Sequence, residues 1–176
     1  MKLRKVKSFF QMFSCDEKEP SAKDTISEII LPEGSACVVK AAAGSTETYR
    51  MFRNRWRLTS IQNVQYFNFE CNNTDARSTF AGTSLKELDI TAFDFDKITG
   101  SAQWLFNENY KLEKIYVNPG CNYASFADTN KKVEMFKLNA KLEGPNGTRY
   151  VTQNPDMNGE RARIDEPGKP GYFWVH

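Results

Sequence analysis

Four cysteines (Cys15, Cys37, Cys71 and Cys121) and one histidine, His176, are the side chains of this 176-residue chain that could hold a soft metal or pair as nucleophile and base. None of the cysteines falls in a C-x-x-C pair, and the only imidazole is residue 176, so the spacing offers neither a zinc site nor a disulfide framework. The cysteines read as reduced, partly buried small apolar residues. A Ser–His or Cys–His pair could draw only on His176, which leaves no catalytic constellation. In "FDFDK", Asp94 and Asp96 stand two apart, a start for calcium, but no further ligands follow at useful spacing, and the stretch reads as a turn leaving a strand. "GPNGT" and "NPDMNG" are turn formers, and no Gly-Lys-Ser/Thr follows them to bind phosphate. The expectation is a non-enzymatic protein with no metal and no cofactor.

Chemistry is then left to binding, and binding residues need elements to present them. Phe52, Phe80, Phe106 and Phe136 recur at spacings of 28, 26 and 30 residues, and Leu58, Leu85 and Leu112 at 27 and 27. Four aromatics returning in near-constant register point to a repeat. Leu85, Leu88 and Ile90, and then Leu112, Ile115 and Val117, carry the apolar positions of a half-buried strand. Leu58 and Ile61 begin the same way, but Asn63 stands where an apolar residue is expected and Val64 follows, which predicts a bulge or an irregular first turn. The segments 48–52, 76–80 and 103–106 would return the chain as short helices or 3₁₀ turns with Phe in the core. A single unit cannot bury its own apolar face, whereas stacked units can. The fold expected is an α/β repeat: a short leucine-rich-repeat solenoid with a parallel sheet of about three to four strands and irregular caps.

On such a sheet the outward residues align in rows: Thr59, Lys86, Glu113; then Ser60, Glu87, Lys114; then Gln62, Asp89, Tyr116. Opposite charges beside one another make a self-satisfied solvated face one reading, at about 0.2–1 kcal/mol per pair. A partner-binding face centred on Tyr116, with Lys86, Glu87, Asp89, Glu113 and Lys114, is the other. The aromatic end "GYFWVH" (171–176) is expected to pack over the open end of the stack, with anchoring in a neighbouring subunit as the alternative.

The boundaries that follow are an N-terminal segment 1–24, a β cap 25–45, the solenoid 46–143 and a closing segment 144–176. Residues 26–40, "ISEIILPEGSACVVK", read as two strands about a Pro-Glu-Gly turn. "MKLRKVKSFFQMFSCDEKEP" admits two readings. Its order of basic start, apolar stretch, small residue, cysteine and acidic tether resembles a bacterial lipoprotein signal, in which Cys15 would carry the lipid. Its apolar stretch, interrupted by Gln11, instead suits a basic, aromatic arm.

"SLKELDITAFDFDKITGSAQWLFNENYKLEKIYV" (84–117) resembles a full unit of the BspA-like leucine-rich repeats, and "MFKLNAKLEGPNGTRY…ARIDEPGKPGYFWV" (135–175) is similar to the closing segment of such arrays. The resemblance runs from about residue 46 to 176. It implies a surface or secreted protein of gut and oral bacteria that adheres to host proteins or other cells. Apolar residues at 40%, charged residues at 26% and a net charge of +2 suit a globular chain and give no basic stripe for nucleic acid. The expected partner is a protein or glycan, with membrane contact only through a lipid on Cys15. The alternative is an accessory protein of a gut bacteriophage virion, whose N-terminal arm docks the solenoid to neighbouring subunits.

Overall fold

A computed structural model of the chain describes residues 12–15, 24–31, 33, 45–64, 72–91, 97–125, 132–153 and 158–176. Among the described residues there are eight short strands: β1 (Glu28–Ile30), β2 (Ser45–Glu47), β3 (Ser60–Gln62), β4 (Asn72–Asp75), β5 (Glu87–Asp89), β6 (Ile98–Ser101), β7 (Lys114–Tyr116) and β8 (Phe173–Trp174). They form three small parallel sheets, β1–β3, β2–β4–β6 and β5–β7–β8. Two 3₁₀ turns, Tyr123–Ser125 and Gly159–Arg161, lie wholly within the described residues, and the arrangement is consistent with an α/β class.

Parallel strands need long connections, and partners here lie far apart in sequence: Glu87 pairs with Lys114, Leu88 with Ile115 and Asp89 with Tyr116. β4 and β6 approach so closely at Gly100 that a Cβ there would sit 1.6 Å from the Thr74 carbonyl oxygen, which excludes every residue but glycine.

The phenylalanine segments were expected to be short helices or 3₁₀ turns. They are instead tight turns containing left-handed residues, with φ of 56°, 53°, 57° and 51° at Arg50, Ser78, Trp104 and Glu134, each two residues before its Phe. Asn54, Gly82, Glu108 and Leu138, two residues after, are left-handed as well. A helix would satisfy its N–H groups internally. These turns pass several outward to the next turn: Phe52 N–H donates to Thr79 O (2.8 Å), Phe80 to Leu105 O (3.0 Å) and Phe106 to Met135 O (3.0 Å). Those outward bonds reward a backbone that costs about 1–2 kcal/mol at each left-handed non-glycine residue.

The turns bring their rings into one column. Phe13, Phe52, Phe80, Phe106 and Phe136 stack with centroids 5.4, 5.4, 6.1 and 5.5 Å apart and planes within 14° of parallel. The last four rings are fully buried, as are Leu58, Leu85, Leu112 and Leu142 beside them. Stacked pairs contribute about 0.5–1.5 kcal/mol each beyond the area they bury. The β1–β3 ladder runs in unbroken register, so the irregularity expected near Asn63 is a turn at the strand's end: Asn63 takes φ 64°, its Nδ2 donates to Leu31 O (2.8 Å), and Val64 enters the core in its place.

Buried amides tie the turns together. Asn109, 1% exposed, accepts at Oδ1 from Thr83 N and Thr83 Oγ1 (2.7 and 2.8 Å) and donates from Nδ2 to Phe80 O and Phe106 O (2.9 and 2.8 Å). Its own N–H donates to Asn139 Oδ1 (2.9 Å).

The closing segment is organised by Asp165, which is 3% exposed. Its carboxylate accepts from Asn146 N (2.7 Å), Thr148 Oγ1 (2.7 Å), Gly171 N (3.1 Å) and Thr148 N (3.4 Å). "PNGT", "ARID" and "PGY" are thereby joined, and β8 is set beside β7, with Ile115 opposite Phe173 and Tyr116 opposite Trp174. Tyr172 and Phe173 are fully buried against Phe136, so the aromatic end packs as expected. The second strand expected at 36–40, the Asp94–Asp96 pair, Cys37 and Cys71 lie outside the described residues. Cys15 and Cys121 are each half-buried.

Candidate functional site: a groove between two parallel sheets

The sequence expects one continuous sheet through Thr59, Lys86 and Glu113, and here the structure differs. β3 pairs with β1 (Glu28 with Ser60, Ile29 with Ile61, Ile30 with Gln62), while β5 pairs with β7. Among the described residues no ladder joins β3 to β5. The two still touch where they begin: Ser84 N donates to Leu58 O (3.0 Å) and Ser84 Oγ to Trp56 O (2.5 Å).

Beyond that point they separate, for reasons visible in the side chains. Gln62 Nε2 donates to Glu28 Oε1 (2.6 Å) and Asn63 Nδ2 to Leu31 O, both holding β3 to β1. The left-handed Asn63 ends β3 and turns the chain inward. The link from Phe80 to Leu85 is also one residue shorter than those from Phe52 to Leu58 and from Phe106 to Leu112.

The result is an open groove of about 550 Å³. One wall is residues 59–64, the other residues 84–89, and Lys111, Tyr116 and His176 close it. Lys86 O accepts from Glu113 N (2.7 Å) and Ile90 N donates to Tyr116 O (2.9 Å). Alternation along a strand therefore turns the backbone N–H and C=O of Glu87 and Asp89 away from β7, toward the groove.

Of the residues expected to bind, Lys86, Glu87, Asp89 and Tyr116 line this groove, whereas Glu113 and Lys114 do not. Lys114 bonds Glu87 across the β5–β7 pair (3.1 Å) and lies 5.1 Å from the Trp174 ring centre. The hydrogen bond to Glu87 holds its ammonium above the usual lysine value, as do the nearby Tyr116 and the Glu87 charge. The companion pair expected between Lys86 and Glu113 is not formed among the described residues, and Lys86 is exposed.

Tyr116 is not the bare centre of a face. Its ring stacks on His176 (4.3 Å, 7°) and tilts against Trp174 (6.3 Å), and His176 Nε2 lies 3.1 Å from Asp89 Oδ2. Asp89 Oδ1 meanwhile accepts from Thr91 N and Thr91 Oγ1 (3.0 and 2.7 Å). His176, Lys111 and Asn63 are groove residues that sequence reasoning did not assign to binding. The departure of Asn63 from the apolar pattern was the signal available for one of them.

Among the described residues no group of three or more His, Cys, Asp or Glu side chains is placed to hold a metal ion. Nor is any helix among them long and apolar enough to cross a membrane. Comparison with protein-family models, with curated proteins and with solved structures finds no match to this chain.

Proposed function

We propose that the chain is a short solenoid of leucine-rich-repeat type, akin to the BspA-like arrays, and that it is a non-enzymatic recognition module. It takes an extended peptide segment of a partner protein into the groove between β3 and β5. Strand partners about 27 residues apart, one column of phenylalanine rings and turn-to-turn hydrogen bonds support the architecture. The single observation that carries the binding reading is that two sheets present facing, unladdered sides across an open groove. Exposed sheet edges recruit extended peptides through main-chain hydrogen bonds, and neighbouring side chains then select among them. Lys86 would meet an acidic peptide side chain, Glu87 and Asp89 a basic one, and Tyr116 with His176 an apolar or aromatic one. On this reading the protein belongs at a bacterial surface or is secreted, and Cys15 is the position where a lipid would tether it.

Amide exchange followed by peptide titration tests the groove. In the free protein the Glu87 and Asp89 amides should exchange fast and Leu88 slowly; an extended peptide should then protect Glu87 and Asp89 and shift the signals of residues 61–63. Tyr116→Ala combined with Lys86→Glu should abolish capture while the thermal midpoint holds. Slow exchange at Glu87 and Asp89 without ligand, or capture that survives the double substitution, sinks the reading.

A second reading, an accessory protein of a virion, has its own observation. Phe13 N donates to Met51 O and Cys15 N to Arg53 O (2.9 Å each), and Arg55 binds Phe13 O and Ser14 O. Arg55 Nη1 also pairs with the buried Asp24 (3.1 Å). Phe13 and Ser14 are thus built onto the ring column beside the Phe52 turn, a suitable base for residues 1–11 to dock a neighbouring subunit. Intact mass of the native protein separates the readings: lipid on Cys15 with loss of residues 1–14 excludes the arm, and an unlipidated chain that keeps them excludes the tether.

A further inference from the structure

A second cavity, of about 320 Å³, opens on the turn face and shares no lining residue with the groove. Its origin is positional. Two residues before each phenylalanine the chain has Arg50, Ser78, Trp104 and Glu134; one residue after, it has Arg53, Ala81, Asn107 and Lys137. The turns lie side by side in that order. The second turn contributes only Ser78 and Ala81, so a notch opens between the arginines on one side and Trp104 with Asn107 on the other.

The notch is charged and incompletely satisfied. Among the described residues neither Arg50 nor Arg53 has a carboxylate at ion-pair distance. Arg50 rests 4.7 Å from the Tyr49 ring centre, and its Nε is buried without a hydrogen-bond partner. Burial first, and then the neighbouring Arg50 charge, press the Arg53 guanidinium below its usual value. Glu134 is not available to neutralise them, because Lys137 Nζ (2.7 Å) and Trp104 Nε1 (3.0 Å) already engage it. Glu108 is the remaining carboxylate, so three cations face two anions. Asn107, 9% exposed, lines the cavity, and its Oδ1 is buried in the wall without a donor. Trp104, a bulky residue held at φ 57°, forms part of the wall.

We propose that this notch binds an acidic sugar. The sugar carboxylate sits on the Arg50 and Arg53 guanidinium groups, which match its planar geometry. A ring hydroxyl donates to Asn107 Oδ1, a second bonds Glu108, and the apolar ring face lies on Trp104. A bare anion would answer the arginines but leave Asn107 without a donor, and a neutral sugar would leave the arginines without a counter-charge. The volume is at the small end of ligand sites, which suits a single sugar unit.

The test is an NMR titration of the full chain with sodium glucuronate, glucose, sodium acetate and inorganic phosphate, read at the Trp104 indole and the Asn107 side-chain amide. Glucuronate should give saturable shifts at both, and glucose none. Acetate and phosphate should bind at least about tenfold more weakly. Arg53→Ala should weaken glucuronate about tenfold or more, the value of a charge-assisted hydrogen bond lost, and Arg53→Lys should fall between. Glucuronate binding that survives Arg53→Ala, glucose binding as well as glucuronate, or acetate or phosphate competing on equal terms would each overturn the proposal. Unchanged circular dichroism in Arg53→Lys guards against reading a folding defect as lost affinity.

Discussion

Substituting Asp165 should detach the closing segment. Its carboxylate makes three bonds of 3.1 Å or shorter, to Asn146 N, Thr148 Oγ1 and Gly171 N, and a longer one to Thr148 N. Hydrogen bonds to a charged group are worth about 1.5–3 kcal/mol each, but they do not add. Gly171 is buried and its N–H would be left orphaned, whereas Asn146 is exposed and water recovers part of its loss. Asp165→Ala should therefore cost about 2–4 kcal/mol, a large share of the stability of a typical domain. Burial works to raise the carboxyl's pKa, and the bonds from Thr148, Asn146 and Gly171 outweigh it, holding the group below the usual carboxylate value. A depressed folded value means the contribution is fully present above the unfolded value, near pH 3.9, and is lost as pH falls through the folded one. Urea denaturation monitored by tryptophan fluorescence should show a wide gap between the native protein and Asp165→Asn at pH 7 that narrows below about pH 4. Because β8 is carried by this segment, the Tyr116–His176 stack should loosen in the same variants. A loss under about 1 kcal/mol in Asp165→Ala, or an equal gap at pH 3 and pH 7, would refute the reasoning.

Three further outcomes follow from the same geometry. Asn109→Leu leaves the N–H and hydroxyl of Thr83 and the carbonyls of Phe80 and Phe106 without this partner; it should cost about 3–5 kcal/mol by urea denaturation, and Asn109→Asp should not rescue it, because a carboxylate cannot donate to the two carbonyls. Phe106→Ala removes the middle of the ring column and should cost about 3–5 kcal/mol by the same assay. Glu87→Gln breaks the exposed pair with Lys114 and should leave stability nearly unchanged, with any loss diminishing in high salt, which a denaturation series at rising ionic strength checks.

Much of the core was legible because burial imposes a residue type at a fixed interval. Phe52, Phe80, Phe106, Leu58, Leu85 and Leu112 are all buried, as are Ile90 and Val117. The β5–β7 register, Glu87 with Lys114 and Asp89 with Tyr116, matches the expected rows. The turns were not legible as such, since of their left-handed positions only Asn54 and Gly82 are the asparagine or glycine that announces positive φ, and Arg50, Ser78, Trp104, Glu108, Glu134 and Leu138 are not. Their conformation is enforced by bonds to the adjacent turn, which a local window of sequence does not contain. The break between β3 and β5 was hidden for a similar reason. It depends on Gln62 and Asn63 reaching back to Glu28 and Leu31, more than thirty residues away.

Both cavities flank the same stretch of chain, and one cause serves for both. Where the first turn continues as Arg53-Asn54-Arg55-Trp56 and the third as Asn107-Glu108-Asn109-Tyr110, the second continues as Ala81-Gly82-Thr83-Ser84. These small side chains leave the notch on the turn face. They also let Trp56 and Tyr110 reach across the second turn and stack at 6.2 Å. Glycine suits position 82: its φ is 68°, and a Cβ would press to 3.1 Å on both Asn54 Oδ1 and the Trp56 ring. Past Ser84 the same stretch enters β5, whose far side borders the groove. The ring column fixes the buried positions, so variation is confined to outward ones. A cavity forms where one turn carries less side chain than the turns on either side of it, and the segment 78–89, which lines both cavities, contains that turn.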